Sequence, residues 1–375
     1  MSGIYIHVPF CKTRCIYCDF FSTTSSEYGA YVDALLREIE LNKDYLEGDV
    51  IDTIYFGGGT PSQLSFDYLN KIVSSLYQCF KINSEAEITF EANPDDLTAD
   101  YVAQLTQLPV NRLSIGIQTF EDEELRFLKR RHSAQQAMDI VRSCQAAGFS
   151  NISIDLMYGL PDQTLETFEK NIETALSLDV PHISAYHLIY EKGTKMSQML
   201  AKKMIRPVEE DTSVEMFALL IRKLKESGFE HYEISNFARG GLYSRHNSSY
   251  WTGEKYLGLG PSAHSFNGKS RRWNVSSLPK YCQAIQLGRI DAEQEEETFS
   301  IRYNDFVMTG LRTIWGIDLE RLESEFGIKM LDYCLKNARK HLQSGLLLNA
   351  NGKLTFSEKG IFVSDGVMSD LMCVE

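Results

Sequence analysis

The amino-acid sequence predicts an α/β protein built on a partial, TIM-like (β/α)6 barrel, followed by a mainly helical, winged-helix-like C-terminal domain. In the first half of the chain, apolar runs of strand length alternate with segments of helical periodicity. Such alternation implies a parallel sheet with right-handed crossovers. A polar or glycine residue follows each run. Because the carboxyl ends of parallel barrel strands converge on one face, we expect these residues to share one ligand site.

The predicted strands lie just before Cys11 and over residues 50–56, 86–91, 112–118, 151–157 and 182–189. Helical periodicity fills the intervals, with apolar side chains on one face of each helix. The residues at the strand ends are Cys11, Gly57, Glu91, Gln118, Asp155 and Tyr186. Each of them alone is explained by a turn, but six together favour a site.

Three parts are predicted along the chain: a barrel over residues 1–235, a connecting segment over 236–300 rich in aromatic residues, histidine and glycine, and a C-terminal domain over 301–375. The last part contains three helical segments and a hairpin. It holds nine Lys and Arg against ten Asp and Glu. A DNA-reading wing needs a basic face, so we expect a packing or partner module.

Composition excludes several classes of function. The net charge of -13 on 375 residues gives no general attraction to nucleic acid. No window of 18 apolar residues predicts a membrane span, and the N-terminus lacks the pattern of a signal peptide. Five of the eight cysteines stand alone in the sequence, as in a reducing compartment. We therefore expect a cytoplasmic protein whose association with a membrane, if any, is made through a partner.

Cys11, Cys15 and Cys18 form a C-x3-C-x2-C loop directly after the first strand. Thiolates gathered on one loop indicate a metal site. An iron-sulfur cluster normally takes four cysteines, so three would leave one iron open to a substrate or cofactor. The alternative is a closed Cys3His zinc site that uses His7. The loop alone favours the cluster and leaves zinc open.

The cysteine loop, together with Gly57-Gly58-Gly59-Thr60-Pro61, resembles the radical S-adenosylmethionine (SAM) superfamily. Motifs at residues 90–94, 114–120 and 155–161, and the His-Asn-x-x-Tyr-Trp motif at 246–251, resemble the HemN/HemW family. The resemblance covers nearly the whole chain. It implies a radical SAM barrel with a HemN/HemW-type C-terminal domain.

The same resemblance implies a [4Fe-4S] cluster on Cys11, Cys15 and Cys18, with SAM chelating the open iron. Glycine amides would approach the methionine part of SAM, while Glu91 faces its amino group and Arg130 its carboxylate. The full set of implied SAM contacts is Tyr5, Gly57, Gly58, Gly59, Thr60, Glu91, Gln118, Arg130, Asp155, Met157 and Tyr186. Gln118 and Asp155 would hold the ribose hydroxyls, and Met157 and Tyr186 would flank the adenine. Without its spacing of twelve residues from Gln118, Arg130 would be interpreted as a solvated member of the basic run at residues 129–131.

Two activities within the family compete. One is an oxygen-independent coproporphyrinogen III dehydrogenase, which decarboxylates two propionates to give protoporphyrinogen IX in porphyrin biosynthesis. The other is a heme chaperone, which binds heme and delivers it to acceptor proteins. The dehydrogenase loop carries a further cysteine two residues after the third, where this chain has Phe20, and only ten residues precede Cys11. The His-Asn-x-x-Tyr-Trp motif belongs to the chaperone group. We therefore favour the chaperone, assign no catalytic residue and leave an enzymatic activity open.

For heme, His246 is the candidate axial ligand, and Tyr250 and Trp251 are candidates for lining a porphyrin face. The equal alternative is that His246 and Asn247 fix a loop while Tyr250 and Trp251 close the barrel. Expected partners are heme, heme-accepting proteins, with their membrane association left open, and an electron donor if SAM is cleaved. A homodimer is left open, and no nucleic acid is expected.

Overall fold

The structure, a computed structural model, describes residues 1–374. Within them, one sheet of twelve strands forms the centre of the molecule. Its parallel core consists of β1 (Ser2–Val8), β2 (Ile51–Gly58), β3 (Ile82–Ala92), β4 (Arg112–Gln118), β5 (Ile152–Tyr158) and β6 (His182–His187). These six strands are adjacent in chain order and pair in parallel. The predicted partial α/β barrel is therefore confirmed.

Eight helices follow these strands along the chain. They are α1 (Tyr28–Leu41), α2 (Phe66–Cys79), α3 (Ala99–Leu105), α4 (Asp122–Phe127), α5 (Ala134–Ala146), α6 (Leu165–Ser177), α7 (Lys195–Ala201) and α8 (Glu210–Glu226). Five of them, α2, α3, α5, α6 and α7, begin at a serine or threonine whose side chain caps the helix. The Ser65 hydroxyl accepts a hydrogen bond from the Tyr68 amide at the start of α2, and Ser133 forms a capping box with Gln136 at the start of α5.

The segment predicted as a connection also adds strands to the sheet. β7 (Glu230–Glu233) and β8 (Asn236–Ala238) extend it beyond β6, and α9 (Arg245–Thr252) follows. β9 (Lys255–Leu259) then pairs in parallel with β1, so it becomes a seventh parallel strand. Three antiparallel strands complete this edge: β10 (His264–Phe266), β11 (Ser270–Asn274) and β12 (Ala292–Glu296), with α10 (Leu278–Gln286) between the last two.

The C-terminal region has its own sheet and its own apolar core. Its elements are α11 (Phe299–Leu311), β13 (Ile317–Asp318), α12 (Leu319–Phe326), α13 (Ile328–Gln343), β14 (Leu347–Ala350), β15 (Lys353–Phe356), α14 (Glu358–Ile361) and α15 (Ser364–Leu371). The hairpin β14–β15 follows three helices, as expected for a winged-helix-like arrangement. Its buried cluster runs from Tyr303 to Leu371, separate from the barrel core. The exact division of the chain at residues 236 and 301 stays a prediction.

No helix within residues 1–374 is both long enough and apolar enough to span a bilayer.

Candidate functional site

A cavity of about 470 Å³ lies at the carboxyl ends of the parallel strands; we call it the cluster pocket. It has the size of an ordinary small-molecule site. The predicted residues that line it are Cys11, Cys15, Cys18, Gly58, Gly59, Thr60, Glu91, Gln118, Arg130, Asp155, Met157 and Tyr186. Side chains from strands far apart in sequence therefore meet at one place. Tyr5 and Gly57 do not line the pocket.

The cysteine loop is closed by backbone hydrogen bonds from Cys11 to the Thr23 carbonyl and from Thr23 to the Pro9 carbonyl. All three thiols are partly buried. Cys11 Sγ lies 3.5 Å from Thr60 Oγ1 on the neighbouring strand end. Burial raises the pKa of the Cys11 thiol and raises that of Cys18 to about 11. A metal has to displace these protons, since thiolates are the ligands.

Asp96 anchors this loop to the barrel. The Lys12 ammonium donates to its buried carboxylate over 2.6 Å. Ser62 and Gln63 donate to the same group over 3.2 and 2.7 Å. Arg131 pairs with it at 3.3 Å and with Asp95 at 2.7 Å. Contacts made by residues other than the three cysteines therefore also fix the position of the loop.

His7, the histidine of the zinc alternative, is fully engaged elsewhere. Its Nε2 lies 2.8 Å from the Phe21 carbonyl and its Nδ1 lies 3.1 Å from the Tyr5 hydroxyl. In the part of the chain that is described, no three His, Cys, Asp or Glu side chains converge on one metal-ion position. In a cluster each cysteine binds a different iron, so the three sulfurs need not converge. The thiol donor set and the free space beside it fit a cluster better than closed zinc.

The glycines after β2 lie in tight contact with β1 and with the residues just before Cys11. A Cβ on Gly59 would lie 2.8 to 2.9 Å from backbone atoms of Val8, Pro9 and Phe10. Gly58 has a φ of 103°, and its Cβ would meet the His7 ring at 2.6 Å. The Gly59 amide already donates to the Val8 carbonyl. Glycine at these two positions is thus required for β1 and the residues just before Cys11 to pack against the end of β2.

Glu91 ends β3 inside the pocket. The Tyr55 hydroxyl donates to it over 2.6 Å and the Gly58 amide over 3.2 Å. Burial, which exceeds the effect of these donors, raises the pKa of Glu91 to about 7. A cation beside it would restore the charge.

Arg130 points into the pocket and is not a solvated member of the basic run. Its Nη1 lies 3.5 Å from Cys15 Sγ, and its Nη2 donates to Asn93 Oδ1 over 2.6 Å and to the Gly116 carbonyl. Its buried Nε has no hydrogen-bond partner among residues 1–374. A buried donor without a partner is costly, so this guanidinium is poised for an anionic group.

Gln118 and Asp155 complete the polar wall. The pairing of β4 with β5 shifts between Gly116 and Gln118, and Gln118 takes a φ of 73°. Such a conformation is strained for a non-glycine residue and is typical of functional sites. Burial raises the pKa of Asp155 to about 6, although Arg112 opposes the shift. Ser114 Oγ lies 3.5 Å from the Asp155 carboxylate.

Three other predicted residues differ in their placement. Met157 is buried at the pocket wall, and Tyr186 is 41% exposed at its rim. Tyr5 lies beneath the pocket, where its hydroxyl holds His7. Sequence reasoning missed Asn93 and Arg112. Asn93 lies within the motif at residues 90–94, whereas fully buried Arg112 was recognisable only as a charge at the start of an apolar strand.

The His-Asn-x-x-Tyr-Trp motif forms α9, near the amino ends of the strands and away from the cluster pocket. His246 is fully buried. Its Nδ1 lies 2.8 Å from Thr53 Oγ1 and its Nε2 lies 2.8 Å from the Tyr250 hydroxyl. The backbone amides of Arg245 and His246 donate to Glu87. Burial lowers the pKa of His246 to about 3, so its imidazole is neutral.

A second cavity of about 360 Å³ separates α9 from the C-terminal domain; we call it the interdomain cleft. Tyr250 and Trp251 line it on the barrel side. The C-terminal side contributes Phe306, Trp315 and Phe326. The three predicted heme residues are thus split, because His246 is inside the barrel while Tyr250 and Trp251 reach the cleft.

A buried polar chain joins the two cavities. The Ser184 hydroxyl contacts Asp155 and donates to Asn236 Oδ1 over 2.9 Å. The Asn236 amide donates to Glu233, which pairs with Arg312. The Arg312 guanidinium lies over the Trp251 ring, 4.7 Å from its centroid. The two sites are therefore physically connected.

Comparison with known proteins identifies the family. A sequence profile of the Radical SAM superfamily matches residues 5–175, and one of the HemN C-terminal domain matches residues 302–363. The "Heme chaperone HemW" of Bacillus subtilis (strain 168) is 36% identical over 98% of this chain and 98% of its own length. The chain belongs to the HemN/HemW family of radical SAM proteins. The HemW protein of Escherichia coli (strain K12) is 34% identical over 81% of this chain and 82% of its own.

A match to a solved HemN structure extends over nearly all of the chain. The solved Escherichia coli structure titled "Coproporphyrinogen III oxidase (HemN)", described there as a radical SAM enzyme, matches with a TM-score of 0.85. It is 23% identical and covers 99% of this chain and 90% of that one, which shows the fold alone. Membership of the radical SAM superfamily implies a [4Fe-4S] cluster and SAM. The three thiols, the orphaned Arg130 Nε and the carboxylates of the cluster pocket fit that pair.

Proposed function

We propose that this chain is a heme chaperone of the radical SAM type, which binds heme and transfers it to acceptor proteins. The observation that carries the proposal is the full-length similarity to proteins named as heme chaperones. Phe20 supports it: this residue occupies the position of the dehydrogenase's fourth cysteine and is 65% exposed at the rim of the cluster pocket.

We further propose that Cys11, Cys15 and Cys18 hold the cluster and leave one iron for SAM. When bound, the cluster and SAM supply one-electron chemistry. The chain's own groups bind and orient SAM: Glu91 attracts the ammonium and Arg130 the carboxylate. Their opposite charges match a zwitterion.

The remaining contacts act on the nucleoside. Gln118 and Asp155 offer an amide and a carboxylate to the ribose hydroxyls, while Met157 and Tyr186 flank the adenine. Thr60 supports the loop through its contact with Cys11. Tyr5 and Gly57 act from beneath the pocket, through His7 and through the packing of β2, and do not touch SAM.

For the histidine of the motif, the geometry favours the scaffold alternative. Both ring nitrogens of His246 are hydrogen-bonded inside the barrel. An axial ligand needs a free nitrogen. We therefore propose that His246 positions Tyr250, and that heme affinity and the Soret spectrum of His246→Gln stay close to those of the wild type. A lost or shifted Soret band in this folded variant would instead assign the iron ligand to His246.

The test of the function uses one anaerobic preparation that carries the cluster. We expect it to bind heme stoichiometrically and to restore activity to a heme-depleted acceptor enzyme. With coproporphyrinogen III, SAM and a reductant, we expect no protoporphyrinogen IX. Efficient turnover would assign the dehydrogenase reaction in place of the chaperone function, and failure to bind heme would end the proposal.

A further inference from the structure

The interdomain cleft has walls suited to a flat aromatic ligand. Its apolar side chains come from both sides of the domain boundary, with Trp251 and Phe266 on the barrel side and Phe306, Trp315 and Phe326 on the other. Guanidinium groups extend these surfaces: Arg321 lies over Phe306 at 5.2 Å and Arg302 over Phe326 at 5.7 Å. Rings and guanidinium planes both stack on a π system.

The charges around the cleft are divided into paired and unpaired groups. Arg271 bonds Glu297 and Asp305 over 2.8 and 2.7 Å, and Arg321 pairs with Glu325. Asp318 caps α12. Arg302 and Lys353 have no carboxylate partner within residues 1–374 and are exposed. Two free cations at the edge of an aromatic cleft complement a ligand with two carboxylates.

The cleft lacks the usual ligands of heme iron. No histidine, cysteine or methionine within residues 1–374 lines it. Tyr250 is its only described lining residue of a type that can ligate heme iron, and its hydroxyl is hydrogen-bonded to His246 inside the barrel. Any affinity for a porphyrin must therefore come from the macrocycle and its carboxylates.

We propose that the interdomain cleft is the binding site of the heme cargo, and that it holds the macrocycle between Trp251, Trp315 and Phe306 and the propionates at Arg302 and Lys353, without a strong axial ligand. This inference rests on the proposed heme function. It also explains how heme could be released. An acceptor protein that offers an axial ligand to the heme iron forms a bond that the cleft does not supply, and this bond favours transfer. The cleft also lies between two separately packed cores, where a small domain movement would open it.

The first test compares ligands by absorbance titration of the full-length protein that carries the cluster. Because the iron contributes little, metal-free protoporphyrin IX should bind with a Kd within about threefold of that of heme. Protoporphyrin dimethyl ester should bind more weakly than the free acid. If heme binds at least about a hundredfold more tightly than the metal-free porphyrin, the iron is ligated and the proposal is wrong.

The second test blocks the cleft. Thr309 lines it on α11, whereas its neighbour Met308 does not and is 36% exposed. Thr309→Trp should weaken heme binding by about tenfold or more, because it fills the space that the macrocycle needs. Met308→Trp places the same bulk outside the cleft and should leave the Kd unchanged. Equal effects of the two variants, or none, would overturn the proposal.

The third test separates the cations from the walls. Arg302→Gln combined with Lys353→Gln should weaken binding of heme but not of the dimethyl ester, which lacks the carboxylates. Phe20→Ala, at the rim of the cluster pocket, should have no effect on the heme Kd. Heme binding that is lost in Phe20→Ala and intact in the cleft variants would place heme at the cluster pocket, which leaves the chaperone function standing and removes this site. No heme binding by the wild type would instead remove the function itself.

Discussion

The cluster pocket and the interdomain cleft are built by different means. The first lies within the barrel: the strand ends of a continuous sheet and the loops that follow them bring two carboxylates, an orphaned guanidinium and three thiols to a cavity of about 470 Å³. The second, of about 360 Å³, lies between two cores. It is lined by aromatic rings and by arginines that are paired with carboxylates. A polar site inside the barrel suits chemistry on a charged cofactor, whereas a cleft between domains suits a ligand that has to leave. The cysteine and Glu91 variants act on the cluster pocket and leave the interdomain cleft as their control.

The largest effect is expected from the cysteines. Cys15→Ala should reduce the iron content from about four per chain to nearly none, because no spare thiol lies in the loop. Heme affinity should be unchanged, since the cleft does not involve the loop. Iron and sulfide analysis, with a heme titration on the same sample, measures both. Cys79→Ala, at the end of α2, is the matched control and should keep its iron; a loss of iron there would mean that the variants fail for lack of folding.

Glu91→Gln should weaken SAM binding by about tenfold to a hundredfold, because a charge-assisted hydrogen bond contributes about 1.5 to 3 kcal/mol. The pKa of Glu91 is raised to about 7 by burial. The carboxyl therefore takes up a proton as the pH falls through 7 and loses its attraction for an ammonium group. In wild type the SAM affinity should fall between pH 8 and 6.

The variant Glu91→Gln has no carboxyl group at this position to titrate. Any pH dependence of SAM affinity that remains in the variant is expected to come from Asp155, whose pKa is about 6. Calorimetric titration with SAM at several pH values measures both effects. A steep pH dependence that persists between pH 8 and 7 in the variant would assign the titration to another group. The heme Kd should not follow the same profile.

Gly59→Ala should lower the free energy of unfolding by about 1 to 3 kcal/mol, the usual cost of overpacking. Its Cβ would lie 2.8 Å from the Phe10 carbonyl oxygen, and the cysteine loop would have to move. We expect the variant also to lose iron faster on dilution. Gly366→Ala is the control: it lies in α15 with no atom within 4 Å of the added Cβ. That change should be neutral or stabilising in a denaturant titration, and equal destabilisation of the two would contradict the packing account.

The smallest effect concerns the polar chain between the cavities. If Ser184 and Asn236 transmit the state of Asp155 to Arg312 and Trp251, then SAM changes the heme affinity in wild type. Ser184→Ala should bring the ratio of the heme Kd with SAM to the heme Kd without SAM closer to one. The corresponding coupling free energy should fall by about 0.5 to 2 kcal/mol. Ser114→Ala removes the other hydroxyl beside Asp155, which does not lead to Asn236. An identical ratio in both variants and the wild type would show that the chain carries no coupling.

Local patterns were sufficient for the barrel and for most of the cluster pocket. Hydrophobic periodicity placed β1 to β6, and the strand-end rule brought Cys11, Glu91, Gln118 and Asp155 together before any distance was known. Arg130 is different, since its neighbours Lys129 and Arg131 have the same character in the sequence. The structure separates them: Lys129 is exposed, Arg131 pairs with Asp95, and Arg130 turns inward.

The motif at residues 246–251 shows the limit of such patterns. A histidine, a tyrosine and a tryptophan within six residues are compatible with binding of heme. They are equally compatible with side chains that close one end of the barrel, and their spacing does not distinguish the two. The distinction depends on Thr53, about 190 positions away, whose hydroxyl occupies His246 Nδ1. It also depends on which side of α9 faces the C-terminal domain.

The parallel strands and the cysteine loop could be predicted from the sequence because they depend on periodicity and spacing over a few residues. The family was predicted from the resemblance of its motifs to those of known proteins. Four features could not be predicted in this way: the tight packing of Gly58 and Gly59, the burial of His246, the inward orientation of Arg130 and the interdomain cleft. They arise from contacts between segments far apart in sequence, and the energies of those contacts exist only once the two cores have packed. The pKa values of Glu91 and Asp155 belong to the same class, since desolvation by the assembled barrel is their main cause.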